Sequence, residues 1–289
     1  MQQRQFRERN RTRIAFPLVL LVAVPLAACE LSGNSAPSAK FAEVTKEDEN
    51  TTGANITSLT QAIRNNPNDA QAYNTRGAAY ARNSRYTEAI ADFTQAVRLD
   101  PNDAAAYTNR ALAYRQTNRN EAALADFNRA TSANPSYAPA LIGRGNLLRA
   151  QGQIAPALDD LNQAIRLNPE SAEAYHARGL ARQREGQHRQ AINDFDAAID
   201  RNPFVGAPYA ARGQSFLATA QYQKAVEDFN ATLNVDNRQA DGWAGRGLAY
   251  EKLGDNKQAI ENYERATSLD NSNKMASEGL SRLKGGVFR

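Results

Sequence analysis

The sequence predicts an all-α fold built as a linear array of helical hairpins. Prolines recur every 34 residues, at Pro67, Pro101, Pro135, Pro169 and Pro203. Within each period, apolar residues lie three and four positions apart, as on one face of an amphipathic helix. A fixed period of this length is typical of repeat architectures. Since one hairpin cannot bury its own apolar face, the copies are expected to stabilise one another by stacking.

Six full copies share one order of large and small side chains. They begin at Ala70, Ala104, Ala138, Ala172, Gly206 and Ala240. In the first copy, position 4 is Tyr73, position 8 is Gly77, position 20 is Ala89 and position 24 is Phe93. Each copy has two apolar stripes, separated by a turn residue such as Gly152 that can end a helix in the left-handed conformation. The pattern predicts two helices per copy.

This order of residues, closed by proline, resembles the tetratricopeptide repeat (TPR). The resemblance covers Ala70 to about Asn271 without an insertion. It implies a TPR α-solenoid, a right-handed superhelix of helix-turn-helix repeats. The predicted repeats are residues 70–103, 104–137, 138–171, 172–205, 206–239 and 240–273.

Single helices are predicted to close both ends of the array. Ile56, Leu59 and Ile63 fall on second-helix positions of the preceding register, so residues 55–67 are interpreted as half a repeat that caps the amino end. Residues 274–289 are interpreted as a capping helix and tail, because Met275, Leu280 and Leu283 lie at helical spacing and the segment resembles the solvating helix that closes such arrays. Such end helices shield the last apolar surface of a solenoid from water.

The amino terminus predicts export. Five arginines precede an uncharged run from Ile14 to Ala28 that contains two prolines and is shorter than the roughly 20 residues of a membrane span. Residues 1–28 are therefore interpreted as a signal peptide. Leu26-Ala27-Ala28-Cys29 resembles the bacterial lipobox, which implies acylation of Cys29 and a lipid anchor. An ordinary signal peptide with an incidental cysteine, and an uncleaved anchor, are the alternatives.

The segment after the cysteine predicts a tether. Residues 29–54 are rich in small polar and charged residues and contain few apolar ones, so they have little to bury. Glu30 follows the cysteine. In Gram-negative lipoproteins an aspartate at that position resembles an inner-membrane retention signal, so the resemblance implies the inner leaflet of the outer membrane, facing the periplasm. Without residues 1–28, which hold five Arg and one Glu, the chain has equal numbers of basic and acidic residues. Its charge therefore does not predict nucleic-acid binding.

The chain has few residues of the types that catalyse reactions. We therefore expect no enzymatic activity, no cofactor and no bound metal. His176 and His188 are the only histidines, and His188 occupies position 17, where other copies have an aromatic packing residue. No cluster has the spacing of metal ligands. Gly143-Arg144-Gly145 lacks the preceding strand and the third glycine of a phosphate-binding loop.

Position 7 departs from the usual TPR pattern, because it is arginine in every copy. Opposite it, position 23 is aspartate in five copies and Asn262 in the sixth. We predict structural Arg–carboxylate pairs, with each arginine stem packed on apolar surface. The pairs are Arg76 with Asp92, Arg110 with Asp126, Arg144 with Asp160, Arg178 with Asp194 and Arg212 with Asp228. An arginine ladder that grips an external anion is the alternative.

The resemblance also implies where a partner would bind. In TPR proteins positions 2, 5, 9, 12 and 13 commonly face the concave groove, which is formed mainly by the first helix of each pair. Here the groove candidates are Arg82, Arg115, Arg149, Arg184, Asn146, His176, Gln214, Leu217 and Leu248. They predict a basic rim and an apolar carboxyl-terminal floor, suited to a protein or peptide with acidic residues beside apolar anchors. The alternative is that the arginines are merely solvated and the alanines reflect close helix packing.

We interpret the chain as a membrane-anchored periplasmic scaffold or adaptor for envelope processes. It is similar in plan to bacterial TPR lipoproteins. The alternative is a pilotin-like or assembly factor for a type IV pilus or a secretion machine. The family's carboxylate clamp, with Lys and Asn at positions 5 and 9, is not matched, which disfavours binding of chaperone tails.

Overall fold

The structure, a computed structural model, describes residues 49–285, which fold into fourteen α-helices without a strand. The helices are α1 Glu49–Asn65, α2 Ala70–Arg82, α3 Tyr86–Leu99, α4 Ala104–Gln116, α5 Asn120–Ala133, α6 Ala138–Ala150, α7 Ile154–Leu167, α8 Ala172–Arg184, α9 His188–Arg201, α10 Gly206–Ala218, α11 Tyr222–Val235, α12 Ala240–Leu253, α13 Asn256–Leu269 and α14 Lys274–Gly285. The first helix of each hairpin begins at the first position of the 34-residue register, so the period read from the sequence is the structural period.

Local sequence sets the helix ends. Asp69, Asp103 and Ser171 cap α2, α4 and α8 by accepting hydrogen bonds from backbone N–H groups of the first turn. The turn inside each hairpin places one residue in the left-handed region. Gly152 is suited to this conformation at φ 81°, whereas the fifth hairpin uses Ala220 at φ 58°. Alanine was not predicted there, because L-residues with a Cβ rarely adopt it.

Close packing within each hairpin explains the small residues. Ala89 and Phe93 of α3 are fully buried against α2. A Cβ added to Gly77 would lie 2.7 Å from Cε1 of Phe93, so the phenyl ring occupies the space that a side chain would need. The same relation joins Gly179 to Phe195, at 2.5 Å. Large and small residues thus alternate across the interface at the density of a protein interior.

The array is curved toward one set of helices. The first helices of successive hairpins, α2, α4, α6, α8, α10 and α12, contact one another, whereas among the described residues the second helices, α3 to α13, do not contact the next second helix. We call the first set the inner helices and the second set the outer helices. Since the inner helices lie closer together, they form the concave side of the array.

The two ends of the array close differently. At the amino end α1 packs against α2 and begins at Glu49, so the predicted start at residue 55 is wrong. The apolar stripe marks only the part of a helix that packs, and the backbone ladder continues through polar residues. At the carboxyl end α14 packs on α12 and α13. There Arg282 donates two 2.9 Å hydrogen bonds to Glu251, which also accepts from Tyr263 Oη at 2.6 Å.

The predicted signal peptide, Cys29 and most of the predicted tether lie outside the described residues. Within residues 49–285, the helices are too short or too polar to cross a membrane.

Candidate functional site

The position-7 arginines form a ladder along the array, and five of the six pair with an aspartate of their own hairpin. Arg76 donates from Nε and Nη2 to the two carboxylate oxygens of Asp92, at 2.7 and 2.8 Å. The same fork joins Arg110 to Asp126, Arg144 to Asp160, Arg178 to Asp194 and Arg212 to Asp228. These aspartates are nearly inaccessible to solvent. Bidentate geometry of this kind gives strong, directional pairing.

The third donor group of each ladder arginine reaches back to the preceding hairpin. Arg110 Nη1 donates to Thr94 Oγ1 at 3.2 Å, and Arg212 Nη1 donates to Asp196 at 2.6 Å. The acceptor is always position 25 of the earlier outer helix: Thr60, Thr94, Asn128, Asn162, Asp196 and Asn230. Sequence reasoning missed this position. The available signal in the sequence was that position 25 carries a polar side chain in every copy.

The pKa of a ladder arginine depends on whether its partners carry a negative charge. Burial lowers the pKa of Arg212, but hydrogen bonds to Asp228 and Asp196 outweigh it, and the pKa is raised. In the sixth hairpin Arg246 donates instead to the amide oxygen of Asn262 at 2.7 Å. Burial then lowers the pKa of Arg246. In the first five hairpins Nε, Nη1 and Nη2 of the ladder arginine all donate within the chain, so these arginines tie hairpins together and offer no free fork to a ligand.

A second set of arginines lies on the inner helices without such partners. Arg115 of α4 and Arg149 of α6 are half-buried, and Arg184 of α8 is exposed. Within residues 49–285, neither Arg115 nor Arg149 forms an ion pair. We call Arg115, Arg149 and Arg184 the basic cluster. Arg82, at the end of α2, is half-buried and is not counted in it.

The members of the basic cluster act on one another. Burial lowers the pKa of Arg149, and the charges of Arg184 and Arg115 lower it further. Burial also lowers the pKa of Arg115. Arg184 Nη1 donates to the backbone oxygen of Arg149 at 3.2 Å, while Arg149 Nε is buried and has no hydrogen-bond acceptor within residues 49–285. The arginines predicted for three successive repeats are therefore brought together into one positive site.

His176 belongs to the same site. Its ring lies 5.9 Å from that of Phe195, centroid to centroid, and it is half-buried on α8. Burial lowers the pKa of His176 to about 4, with a contribution from the charge of Arg149. The imidazole is therefore neutral near pH 7 and adds a polar, uncharged wall beside the arginines.

Several other predicted groove residues are placed differently. Asn146 is half-buried, Gln214 is exposed, and Leu217 and Leu248 are half-buried against the cores of the fifth and sixth hairpins. Asn74, Thr108 and Ala244, which share the groove positions, are buried and cannot contact a partner. Asn74 accepts a 2.9 Å hydrogen bond from Asn109. The TPR position rule thus identifies the face, and neighbouring side chains decide which residues remain accessible.

One exposed aromatic was not predicted. Phe204 is 85% exposed in the loop between α9 and α10, and Val235 at the end of α11 is 50% exposed. The other hairpins have Asn, Ser, Glu or Arg at the position of Phe204, and that contrast was the available signal. Within the described residues, no group of three or more His, Cys, Asp or Glu side chains could hold a metal ion.

Comparisons with known proteins agree with this architecture. Tetratricopeptide repeat models match residues 56–104, 79–139, 172–204 and 240–273, and a TPR repeat model matches residues 145–186. A comparison with curated protein sequences found no match.

Among solved structures, three similar ones illustrate the fold. A chain of the APC/C hetero-tetramer Cut9–Hcn1 has a TM-score of 0.73 at 18% identity; the match covers 80% of this chain and 46% of that one, so this chain spans less than half of it. PilW, a type IV pilus biogenesis factor, has a TM-score of 0.67 at 19% identity and coverages of 73% and 98%. YrrB, a TPR protein with an unusual peptide-binding site, has a TM-score of 0.53 at 23% identity and coverages of 64% and 96%.

Proposed function

Because the chain belongs to the tetratricopeptide repeat family, we propose that it is a scaffold that binds a protein or peptide along its inner helices, from a lipid-anchored position in the bacterial envelope. The basic cluster is the observation that carries the proposal. Three cations in successive hairpins, none neutralised by a carboxylate of residues 49–285, leave a positive surface whose complement is an acidic partner. The proposal includes no enzymatic activity, cofactor or nucleic acid.

The carboxyl-terminal half of the inner surface supplies apolar contact. Leu217 and Leu248 are half-buried, and the neighbouring positions Ala207 and Ala210 are small and uncharged. An extended or helical segment could place apolar side chains there and acidic ones on the basic cluster, which is the groove mode of peptide recognition. The partner is therefore a segment that combines acidic residues with apolar anchors.

A capture experiment tests this function. The full chain, cross-linked in its own envelope, is compared with Arg115→Glu/Arg149→Glu and with the control Arg129→Glu/Arg166→Glu. The control makes the same charge change in the same two repeats, at exposed arginines of outer helices. We expect the first variant to lose proteins that the native chain and the control both retain. Equal capture by all three would show that the basic cluster is not the recognition surface.

Location is tested separately. We propose that acylated Cys29 holds the chain at the inner leaflet of the outer membrane, facing the periplasm. Two or more acyl chains are needed for stable anchoring, since a single chain binds a bilayer only marginally. Cys29→Ser is expected to release the chain into the soluble envelope fraction and to abolish incorporation of labelled palmitate. Retention of the variant in the outer membrane would contradict the lipid anchor.

The second candidate function is assembly of a type IV pilus or secretion machine. Its support is the similarity to PilW, which extends over 98% of that chain. At 19% identity this similarity shows the fold, and the role is a proposal. A deletion strain separates the two functions: loss of surface pili with restoration by the native chain favours the assembly factor, whereas intact pili favour the general adaptor.

A further inference from the structure

The ladder provides an internal standard for how arginine binds a carboxylate in this chain. Arg144 on α6 presents Nε and Nη2 side by side to Asp160, at 2.8 and 2.7 Å. Arg76, Arg110 and Arg212 use the same two nitrogens. The planar guanidinium edge matches the two oxygens of one carboxylate.

Arg149 lies five residues further along α6 and forms no ion pair within the described residues. Its Nε is buried and has no acceptor within the described residues. A buried donor of this kind is costly, because it has lost water without gaining a partner. The cost is removed if the Arg149 side chain rotates to bring the guanidinium to a ligand carboxylate.

The surroundings of Arg149 favour an anionic acceptor. The charges of Arg115 and Arg184 both act on Arg149, and Arg184 is fixed beside it by the bond to the Arg149 backbone oxygen. His176 faces the same site as an uncharged side chain. Three like charges near one another, two of them half-buried, repel one another, and a bound anion would relieve that repulsion.

We propose that the Arg149 guanidinium binds the side-chain carboxylate of a glutamate or aspartate in a partner segment, with Arg115 and Arg184 as flanking cations and His176 as a neutral neighbour. This inference rests on the proposed function and names the chemical group that the inner surface recognises. An acidic side chain fits better than a phosphate, because the fork that the chain itself repeats is filled by carboxylates at every turn of the ladder except the last.

Histidine resonances provide a probe that needs no knowledge of the partner. The full chain has two histidines, so His176 reports on the site and His188 serves as an internal control. The test compounds are N-acetyl-glutamate α-amide for an acidic side chain, N-acetyl-leucine for a chain terminus, and inorganic phosphate. Each is titrated at constant ionic strength and followed by nuclear magnetic resonance. We expect the glutamate compound to shift the His176 signal saturably and to leave His188 unchanged.

Two substitutions distinguish recognition by the planar guanidinium from simple attraction to a positive charge. Arg149→Gln removes the cation, and Arg149→Lys keeps it without the planar fork. We expect Arg149→Gln to weaken binding of the glutamate compound about tenfold, and Arg149→Lys to weaken it by a comparable factor. Arg166→Gln, at an exposed residue of α7, should leave it unchanged. Thermal unfolding of each variant establishes that it is folded.

The outcomes are distinct. Undiminished binding in Arg149→Gln, or no saturable response of His176 to the glutamate compound, would overturn the proposal. So would a response to phosphate or to N-acetyl-leucine alone, which would assign the site to phosphate groups or chain termini. If the glutamate compound binds as expected and partner capture is unaffected by Arg115→Glu/Arg149→Glu, the carboxylate site stands and the proposed function fails. If capture is lost in that variant but the compound does not bind the native chain, the proposed function stands and the carboxylate site fails.

Discussion

Helix α6 carries two arginines with opposite roles. Arg144 satisfies its donors with Asp160, Asn128 and Thr131, whereas Arg149, five residues later, has a buried Nε with no acceptor in the part of the chain that the structure describes. Position 7 is arginine in every hairpin, but position 12 is arginine only in the second and third. A charge that recurs with the period ties hairpins together. Arg149, which does not recur with the period, has no carboxylate partner among the described residues.

Removing a ladder carboxylate that accepts from two arginines should destabilise the array. Asp194 accepts from Arg178 and also from Arg182 Nη1 at 2.9 Å, and its side chain is 3% exposed. Asp194→Ala leaves two half-buried cations, Arg178 and Arg182, without the carboxylate that pairs with both. We expect the free energy of unfolding to fall by about 4 kcal/mol.

The matched control for Asp194→Ala is Asp200→Ala on the same helix, an exposed carboxylate that is expected to change stability by no more than about 0.5 kcal/mol. Both variants are measured by urea unfolding. Similar small losses in the two would show that the ladder does not hold the array together.

Acid should lower the free energy of unfolding through His176, which lies beside the basic cluster. Its pKa is about 4 in the folded chain against an ordinary 6.5. As pH falls, the unfolded chain therefore takes up the proton first. The stabilising contribution is complete above about pH 6.5 and is lost progressively toward pH 4, to an extent of about 3 kcal/mol.

The measurement is the free energy of unfolding of the native chain and of His176→Gln between pH 7 and pH 4. The variant should lose less stability over that range, since glutamine does not titrate. A parallel decline in both proteins would place the acid sensitivity elsewhere. Arg149→Gln, by removing a neighbouring positive charge, should raise the pKa of His176 in a nuclear magnetic resonance titration.

In the sixth hairpin the effect of a ladder carboxylate on stability can be tested by adding one. Asn262 stands where the other hairpins have aspartate, and Arg246 has a lowered pKa there because burial is not offset by a carboxylate. Asn262→Asp supplies the missing charge. We expect a gain of about 1 kcal/mol in unfolding free energy, measured by thermal and urea unfolding. A loss of stability would mean that desolvation of the new carboxylate outweighs its pairing.

Periodic features could be predicted from the sequence because every copy repeats the same evidence. The helix starts, the Gly77–Phe93 type of contact and the pairing of Arg76 with Asp92 all follow from residues that recur at fixed positions. Two features did not follow. The bond from Arg110 to Thr94 crosses between hairpins, and a polar residue at position 25 has no apolar pattern to mark it. The helical turns before residue 55 carry no packing signal either.

The sequence predicted which face of the array holds the candidate site, but not which residues on that face are accessible. Family positions placed Arg115, Arg149 and His176 on the inner helices, where the structure has them. They also selected Thr108, which is 1% exposed and donates to the backbone oxygen of Ala104. Accessibility at such a position depends on the neighbouring hairpin, and a single-repeat pattern does not contain that information.

The most direct test of the account compares two variants on one helix. Arg144→Gln strands the buried carboxylate of Asp160, so we expect its free energy of unfolding to fall by about 3 kcal/mol. Arg149→Gln removes a cation that has no carboxylate partner within the described residues and two positive neighbours, so its stability should be unchanged or slightly raised. Urea unfolding of both variants beside the native chain decides the matter: unequal losses in this order support the division of roles, and equal losses would contradict it.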